Sequence, residues 1–153
     1  MHVSALNIGR AFFEQYLSAD PEVSVLDVGG MDVNGSLRSV AGAGRRFLSV
    51  DLVEGPGVDV VLDDPYRFPF PDDSFDAIVS TSCFEHDSFF WLTFIEMCRV
   101  TRIGGYVYTL ARRQTARIIA TLSIAGASTP MPAWRWHNGP SAAARRWCSV
   151  SPS

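Results

Sequence analysis

Lysine is absent from the 153-residue sequence, so all thirteen cationic side chains are arginine. Only three cysteines are present, and no two of them form a C-x-x-C pair, which argues against a disulfide framework or a cysteine-based zinc site. No apolar run reaches the roughly 18–20 residues of a membrane-spanning helix. Arg10 and Glu14 interrupt the N-terminal segment, which is unlike a signal peptide. We expect a cytoplasmic protein without a membrane partner.

Acidic residues are missing from the last quarter of the sequence. All sixteen lie between Glu14 and Glu96, whereas residues 113–153 contain five arginines and no Asp or Glu. The sequence therefore divides into an acidic body, residues 1–112, and a basic tail, residues 113–153. A basic tail can be a disordered or nucleic-acid-binding arm. The net charge of −3, however, is not that of a general nucleic-acid binder, and we expect no nucleic-acid partner.

The acidic body alternates predicted strands with predicted helices. Apolar periodicity predicts helices at residues 5–18 and 89–101 and a short one at 36–41. Short runs rich in β-branched residues predict five strands, at residues 23–30, 45–52, 58–62, 75–82 and 105–111. This alternation predicts an α/β fold with a mainly parallel sheet covered by helices on both faces. Ligands of such sheets bind at the carboxyl ends of the strands.

Acidic residues and glycines stand at two of those predicted carboxyl ends. The first strand ends in Asp27, Gly29 and Gly30. The carboxylate of Asp27 can accept hydrogen bonds from a bound amine, and glycines allow a ligand to approach the backbone closely. The second strand ends in Asp51, whose carboxylate can bind both hydroxyls of a ribose.

Asp63 and Asp64 follow the third predicted strand, where either carboxylate could accept a hydrogen bond from the exocyclic amine of adenine. An amine, a ribose and an adenine recognised in this order describe S-adenosylmethionine. A dinucleotide fits less well because the full G-x-G-x-x-G phosphate cradle is missing. A Rossmann-like protein that binds a nicotinamide cofactor remains an alternative, and so does a non-catalytic binding module.

Several of these residues also have ordinary structural interpretations. Asp51 alone could cap a helix, and Asp63 and Asp64 could solvate the loop before Pro65. Cys83 and His86 lack the glycine pattern of an oxyanion hole, which argues against a thiol nucleophile. The order of the acidic residues along the chain, more than any single residue, therefore carries the ligand prediction.

Four stretches of the body resemble successive blocks of the class I S-adenosylmethionine-dependent methyltransferases, particularly the type 11 group. They are VLDVGGMDVNGSLR, FLSVDLVEGPGVDVVLDD, FPFPDDSFDAIVSTSCFEH and FWLTFIEMCRVTRIGGYVYTLA, and the resemblance covers roughly residues 23–111. It implies a Rossmann-like, doubly wound fold, S-adenosylmethionine as cofactor, and methyl transfer to a small-molecule acceptor. In such a reaction the protein mainly positions the acceptor and excludes water from it.

The resemblance also implies roles for particular residues. Asp27 and Gly29 correspond to the residues that face the methionine moiety, and Asp51 to the residue that binds the ribose, with Leu52 packing on the adenine. The family's carboxylate after the third strand corresponds to Asp63 or Asp64.

Met31 departs from the family, which often has glycine at this position, so we expect a bulkier side chain near the carboxylate end of the cofactor. Gly30 and Thr81, the latter at the end of the fourth strand, complete the predicted cofactor-binding set. The sequence marks no general base clearly; His86 is the best candidate.

The basic tail does not resemble the family, which carries two further strands after the fifth. The tail can be back-translated with suitable GC-rich codons. When one cytosine is then restored after the codon of Ala111, the shifted frame can read APSTNGPYHRYPVDCWRFYPDAGLAL, which resembles what type 11 relatives carry there. We therefore hypothesise that residues from about 112 onward are a frameshifted translation. On this hypothesis the sheet is truncated after the fifth strand and the tail is irregular and poorly ordered.

Overall fold

The computed structural model of the chain describes residues 3–17, 22–113, 116–123 and 135–136, with side chains up to residue 111. Its helices are α1 (Val3–Tyr16) and α2 (Phe90–Val100), with one 3-10 turn at Leu37–Ser39 between them. Its strands are β1 (Ser24–Val28), β2 (Arg46–Asp51), β3 (Val60–Val61), β4 (Phe75–Thr81), β5 (Thr101–Arg113), β6 (Ala116–Ser123) and β7 (Arg135–Trp136).

The described strands form one sheet in the order β3-β2-β1-β4-β5-β6-β7. The first five strands of the sequence pair in parallel, and β6 and β7 are added antiparallel to one edge. From β1 the chain builds outward first toward β3 and then, starting with β4, in the opposite direction. The carboxyl ends of β1 and β4 therefore lie side by side at the point where the strand order reverses, which is where sheets of this kind bind their ligands. The predicted Rossmann-like, doubly wound, mainly parallel sheet is confirmed.

The predicted end of the sheet after the fifth strand is wrong. β6 pairs with β5 along its whole length, from Tyr106↔Ser123 to Arg113↔Ala116, so this part of the tail is a regular strand. The physical reason is that β5 offers an edge of unpaired backbone groups, and residues 116–123 include the β-branched residues that suit a strand. Apart from β7, the remaining tail residues lie outside the described residues, so the prediction that the tail is irregular and poorly ordered is not tested there.

One face of the sheet is covered by α1. Phe12 and Phe13 are buried against β1, β4 and β5, and the Phe12 ring stacks on Tyr108 with 4.7 Å between ring centroids. Leu37 packs directly on α1 because Gly9 has no side chain; a Cβ at Gly9 would lie 2.3 Å from Leu37 Cδ2. The first helix and the short turn thus form a single apolar layer.

The opposite face is covered by α2, whose Met97 and Val100 are fully buried against β1, β2, β4 and β5. The helix ends at Val100, and the pair Gly104-Gly105 lies within β5. Gly105 is needed there, since a Cβ would lie 2.6 Å from the backbone oxygen of Asp76 in the neighbouring strand. Helices therefore cover both faces of the sheet, as the alternation predicted.

Candidate functional site

Two adjacent cavities open at the carboxyl ends of the parallel strands. The first has a volume of about 300 Å³ and is lined by Asp27, Gly30, Met31, Thr81 and the loop at residues 33–36. The second has a volume of about 490 Å³ and is lined by Leu52, Leu62, Tyr66, Cys83, His86, Asp87 and neighbouring residues. Three residues line both cavities, namely Gly29, Asp51 and Ser82. The two cavities therefore adjoin at these residues and form one continuous site.

Asp27 is the most unusual charged residue of the first cavity. Its side chain comes from β1 and is only 1% exposed, and its Oδ1 has no hydrogen-bond partner. Burial raises the pKa of Asp27 to about 7, with a further increase from the charge of Asp51, while the charge of Arg38 acts in the opposite direction. A buried carboxyl oxygen without a partner is costly for the fold, so Asp27 is a candidate for a role in ligand binding and not in stability.

The glycines after Asp27 bring the backbone close to the cavity. Gly29 has the left-handed φ of +71°, and the N–H groups of Gly29 and Gly30 both donate to the Val50 carbonyl, at 2.9 and 3.2 Å. A Cβ at Gly30 would lie 2.0 Å from Ser49 Oγ and 2.8 Å from the carboxylate of Asp27. Only glycine fits this turn without displacing Asp27.

Asp51 ends β2 and lines both cavities. Its Oδ1 accepts a hydrogen bond from the Leu52 N–H at 2.7 Å, and its Oδ2 accepts a longer one from the Met31 N–H at 3.4 Å. Leu52 is half exposed at the wall of the second cavity. The side chain of Met31 extends toward the loop after β2, since a Cβ at Gly55 would lie 2.9 Å from the Met31 sulfur. The bulk of Met31 is therefore partly directed away from the first cavity.

The structure brings most of the predicted site residues together, but not Asp63 and Asp64. Both are exposed and line neither cavity. Asp64 instead closes the turn that follows, because its Oδ1 accepts from the Tyr66 N–H at 2.8 Å. From this segment, Leu62 and Tyr66 line the second cavity. That Asp63 or Asp64 binds an adenine amine stays a prediction.

Asp59 does not line either cavity but binds residues close to the first one, and the sequence did not mark it as a site residue. Its carboxylate forms an ion pair with Arg38 and accepts from the Ser49 N–H at 2.7 Å. It thereby holds the side chain of Arg38 in the region where its charge acts on Asp27. No local motif marks Asp59, because its partners lie 10 and 21 residues away along the chain.

Cys83 and His86 both line the second cavity. Burial raises the pKa of the Cys83 thiol to about 11, so the thiol stays protonated at neutral pH and is a poor nucleophile. His86 is exposed, and its backbone N–H donates to the Cys83 carbonyl at 2.9 Å.

Among the described residues no group of His, Cys, Asp and Glu could hold a metal ion. In the same part of the chain, no helix has the length and apolarity to cross a bilayer.

The fold of this chain is similar to that of several solved structures, some of whose names describe different activities. The chain is 21% identical to the YcgJ protein of Bacillus subtilis (TM-score 0.59), with 72% of this chain and 51% of that chain covered. It is 19% identical to the cyclase SpnF (TM-score 0.57, 73% and 47% covered). It is 21% identical to phosphoethanolamine N-methyltransferase 2 of Haemonchus contortus, solved with S-adenosylhomocysteine (TM-score 0.55, 69% and 28% covered). The chain thus spans about half of the first two relatives and less of the third.

Comparison of the sequence with family models identifies the family more specifically than the fold does. No curated protein matches the chain. Residues 8–109, which are most of the chain and include β1 to β4, α2 and both cavities, match the sequence model of a family described as a methyltransferase domain. The chain therefore belongs to the type 11 group of the class I methyltransferases, whose cofactor is S-adenosylmethionine.

Proposed function

We propose that this chain binds S-adenosylmethionine across the two cavities and transfers its methyl group to a small-molecule acceptor. One observation carries the proposal: a fully buried carboxyl group with an unpartnered oxygen, Asp27, lies beside a glycine turn in a cavity that a second carboxylate, Asp51, connects to a largely apolar one. The site therefore offers an anionic group for an ammonium, an acceptor pair for ribose hydroxyls and an apolar cavity for a base.

The residues that line the two cavities fit S-adenosylmethionine in one orientation. Asp27 would hold the amino group in the first cavity, Asp51 would hold the ribose hydroxyls where the cavities meet, and the adenine would lie between Leu52 and Leu62 in the second cavity. An ionised carboxylate that binds an ammonium or a hydroxyl contributes about 1.5–3 kcal/mol for each such bond. Asp27 and Asp51 therefore account for much of the expected affinity.

The cofactor supplies the activated methyl group, so the residues of this chain need only bind, orient and exclude water. Asp27 and Asp51 orient the cofactor from two sides, while Gly29 lets the backbone approach it. His86, which is exposed and lines the second cavity, is the candidate for accepting a proton from an acceptor hydroxyl. The fold alone does not determine the reaction, since SpnF shares it and is a cyclase.

Calorimetry tests this assignment against the nicotinamide alternative. We expect the protein to bind S-adenosylmethionine and S-adenosylhomocysteine but not NAD. Gly30→Ala should weaken this binding at least about tenfold, because the added Cβ displaces Asp27 or Ser49. Gly104→Ala, at the opposite end of the sheet, is the control: a Cβ there meets nothing within 4 Å, so the left-handed φ of +82° should lower the stability of the variant while its affinity for the cofactor stays unchanged. Binding of NAD in preference would overturn the proposal.

We also propose that residues from about 112 onward arise from a reading-frame slip, as the back-translation of the tail indicates. Independent sequencing of the gene should find one further cytosine after the codon of Ala111. The frame-restored protein should bind S-adenosylhomocysteine more tightly than the present chain, because a family-type segment would then follow β5 on the acceptor side of the site. Repeated reads without the extra base would contradict this hypothesis.

A further inference from the structure

We propose that Asp87 is a positioning residue of the second cavity, joining the loop that carries Tyr66 to the first turn of α2 and so fixing the wall against which the adenine lies. The inference rests on the proposed function, because that function places the adenine in this cavity. Asp87 lies between β4 and α2, and Tyr66 lies between β3 and β4. Both residues line the cavity, 21 positions apart in sequence.

The carboxylate of Asp87 uses both oxygens for this connection. Its Oδ1 accepts from the Phe89 N–H at 2.8 Å and from the Tyr66 hydroxyl at 3.2 Å. Its Oδ2 accepts from the hydroxyl of Thr93 at 2.5 Å. Thr93 is only 3% exposed, so its hydroxyl depends on partners within the protein. One side chain thus connects the loop, the start of the helix and its first turn.

Tyr66 depends on such side-chain contacts because its loop has no regular structure. Residues 62–74 contain no helix or strand, so no backbone ladder holds the ring in place. The turn at Asp64 holds the Tyr66 N–H, whereas the hydroxyl end of the side chain is held by Asp87. The ring meets Phe89 edge to face, with 5.9 Å between centroids. Releasing the hydroxyl would let the ring turn into or away from the cavity.

The ionisation of Tyr66 reports on the same contact. Desolvation raises the pKa of the Tyr66 phenol, and the charge of Asp87 and its hydrogen bond raise it further, as does the charge of Asp64. Asp87→Asn removes one of these charges, so Tyr66 should ionise at lower pH in this variant. The absorbance change at alkaline pH, taken as the difference from the Tyr66→Phe protein, measures this without any ligand.

The binding test uses Asp87→Asn, Tyr66→Phe and the double variant, with S-adenosylhomocysteine and 5′-methylthioadenosine as ligands. The second ligand has the adenine and ribose but no amino-acid end. We expect each single variant to weaken the binding of both ligands about five- to tenfold, a loss of about 1.0–1.4 kcal/mol, because the Tyr66 ring is then no longer held at the cavity wall. The double variant should bind scarcely more weakly than Asp87→Asn, since both changes act on the same contact: asparagine keeps one acceptor oxygen but loses the charge that strengthens the bond to the Tyr66 hydroxyl.

Two controls make the outcome specific. Asp32→Ala removes the hydrogen bond that the Gly35 N–H donates at the first cavity. It should therefore weaken the binding of S-adenosylhomocysteine but not that of 5′-methylthioadenosine. Tyr16→Phe, a half-buried tyrosine on α1, should change neither affinity. Tyr66→Phe keeps the ring and should unfold at the wild-type temperature, so it carries the test even if Asp87→Asn folds poorly.

The results separate this inference from the proposed function. If the wild-type protein binds S-adenosylhomocysteine and the variants bind it equally well, or if the two single effects add in the double variant, the role of Asp87 is wrong. If the ionisation of Tyr66 is unchanged in Asp87→Asn, the contact itself is wrong, whatever the ligands do. If the wild-type protein binds neither ligand, the proposed function is wrong and the positioning role is overturned with it.

Discussion

Changing Asp27 to asparagine is expected to weaken binding of S-adenosylmethionine by about a hundredfold and to stabilise the ligand-free protein at pH 8. The affinity falls because an amide cannot replace the charge that pairs with an ammonium, a loss of about 2–3 kcal/mol. The stability rises because the folded protein holds a desolvated carboxylate at this pH. Asparagine has nearly the shape of the protonated acid that the buried site favours.

The pH dependence of both effects follows from the raised pKa of about 7, compared with 3.8 for an ordinary aspartate. Below pH 4 the group is protonated in folded and unfolded protein alike, and it contributes no penalty. Between pH 4 and 7 the unfolded chain releases the proton first, so wild-type stability falls progressively and then stays level. The full penalty is at most about 4 kcal/mol. Part of it is offset in the variant by the buried amide, so we expect a gain of about 2 kcal/mol at pH 8 and none near pH 4.

Urea unfolding at pH 4 and pH 8 measures the stability difference, and calorimetry between pH 5.5 and 7 measures the affinity. Wild-type affinity should fall up to about tenfold for each pH unit below 7, because Asp27 must lose its proton to bind the cofactor. Asp27→Asn should lack this dependence. Glu14→Gln, an exposed carboxylate on α1, is the control and should change neither quantity. A variant less stable than wild type at pH 8 would show that Asp27 stabilises the fold.

Replacing Arg99 with alanine is expected to destabilise the fold by about 3 kcal/mol. The guanidinium of Arg99 binds Glu96 through two nitrogens and Asp72 at 2.7 Å. It also donates to the carbonyls of Phe70 and Phe68, at 2.9 and 3.2 Å, so it holds the loop before β4 against α2. Its removal leaves the largely buried carboxylate of Glu96 and two carbonyls without these donors.

Arg99→Lys should recover less than half of this loss, because an ammonium cannot form the planar, multiply bonded arrangement of a guanidinium. Arg10→Ala, an exposed arginine on α1, is the control and should cost less than about 0.5 kcal/mol. The hydrogen bond to Arg99 lowers the pKa of Glu96, so the stabilisation is present at neutral pH and disappears in acid as Glu96 takes up a proton. Urea unfolding at pH 7 and pH 3 measures both. Equal unfolding of Arg99→Ala and Arg10→Ala would contradict the role given to Arg99.

The sequence predicted the part of the site that lies at strand ends. Asp27, Gly29, Gly30 and Asp51 directly follow or end short apolar runs, and parallel pairing brings such ends together without further information. Asp63 and Asp64 also follow a strand, but they enter a loop whose path is set by side-chain contacts. Their placement outside the cavities could therefore not be predicted from their position in the sequence.

Residues whose roles depend on distant partners were missed. Asp59 and Asp87 each connect segments 10 to 21 residues apart, and neither belongs to a local motif. β6 was missed for a related reason, since a short apolar run among arginines and alanines becomes a strand only when the edge of β5 is available to it.

Ser82, where the two cavities meet, has a left-handed backbone with φ of +58°, a conformation that costs a residue with a Cβ about 1 kcal/mol. Its N–H donates to the carbonyl of Leu110 in β5 at 2.9 Å, and Leu110 faces Ile119 of β6 in the sheet register. A displacement of β5 and β6 would therefore reach the floor of the site through this hydrogen bond and through the pairing of β4 with β5. Changes in the pairing of β5 with β6 should therefore alter the geometry of the ligand site as well as the stability of the sheet.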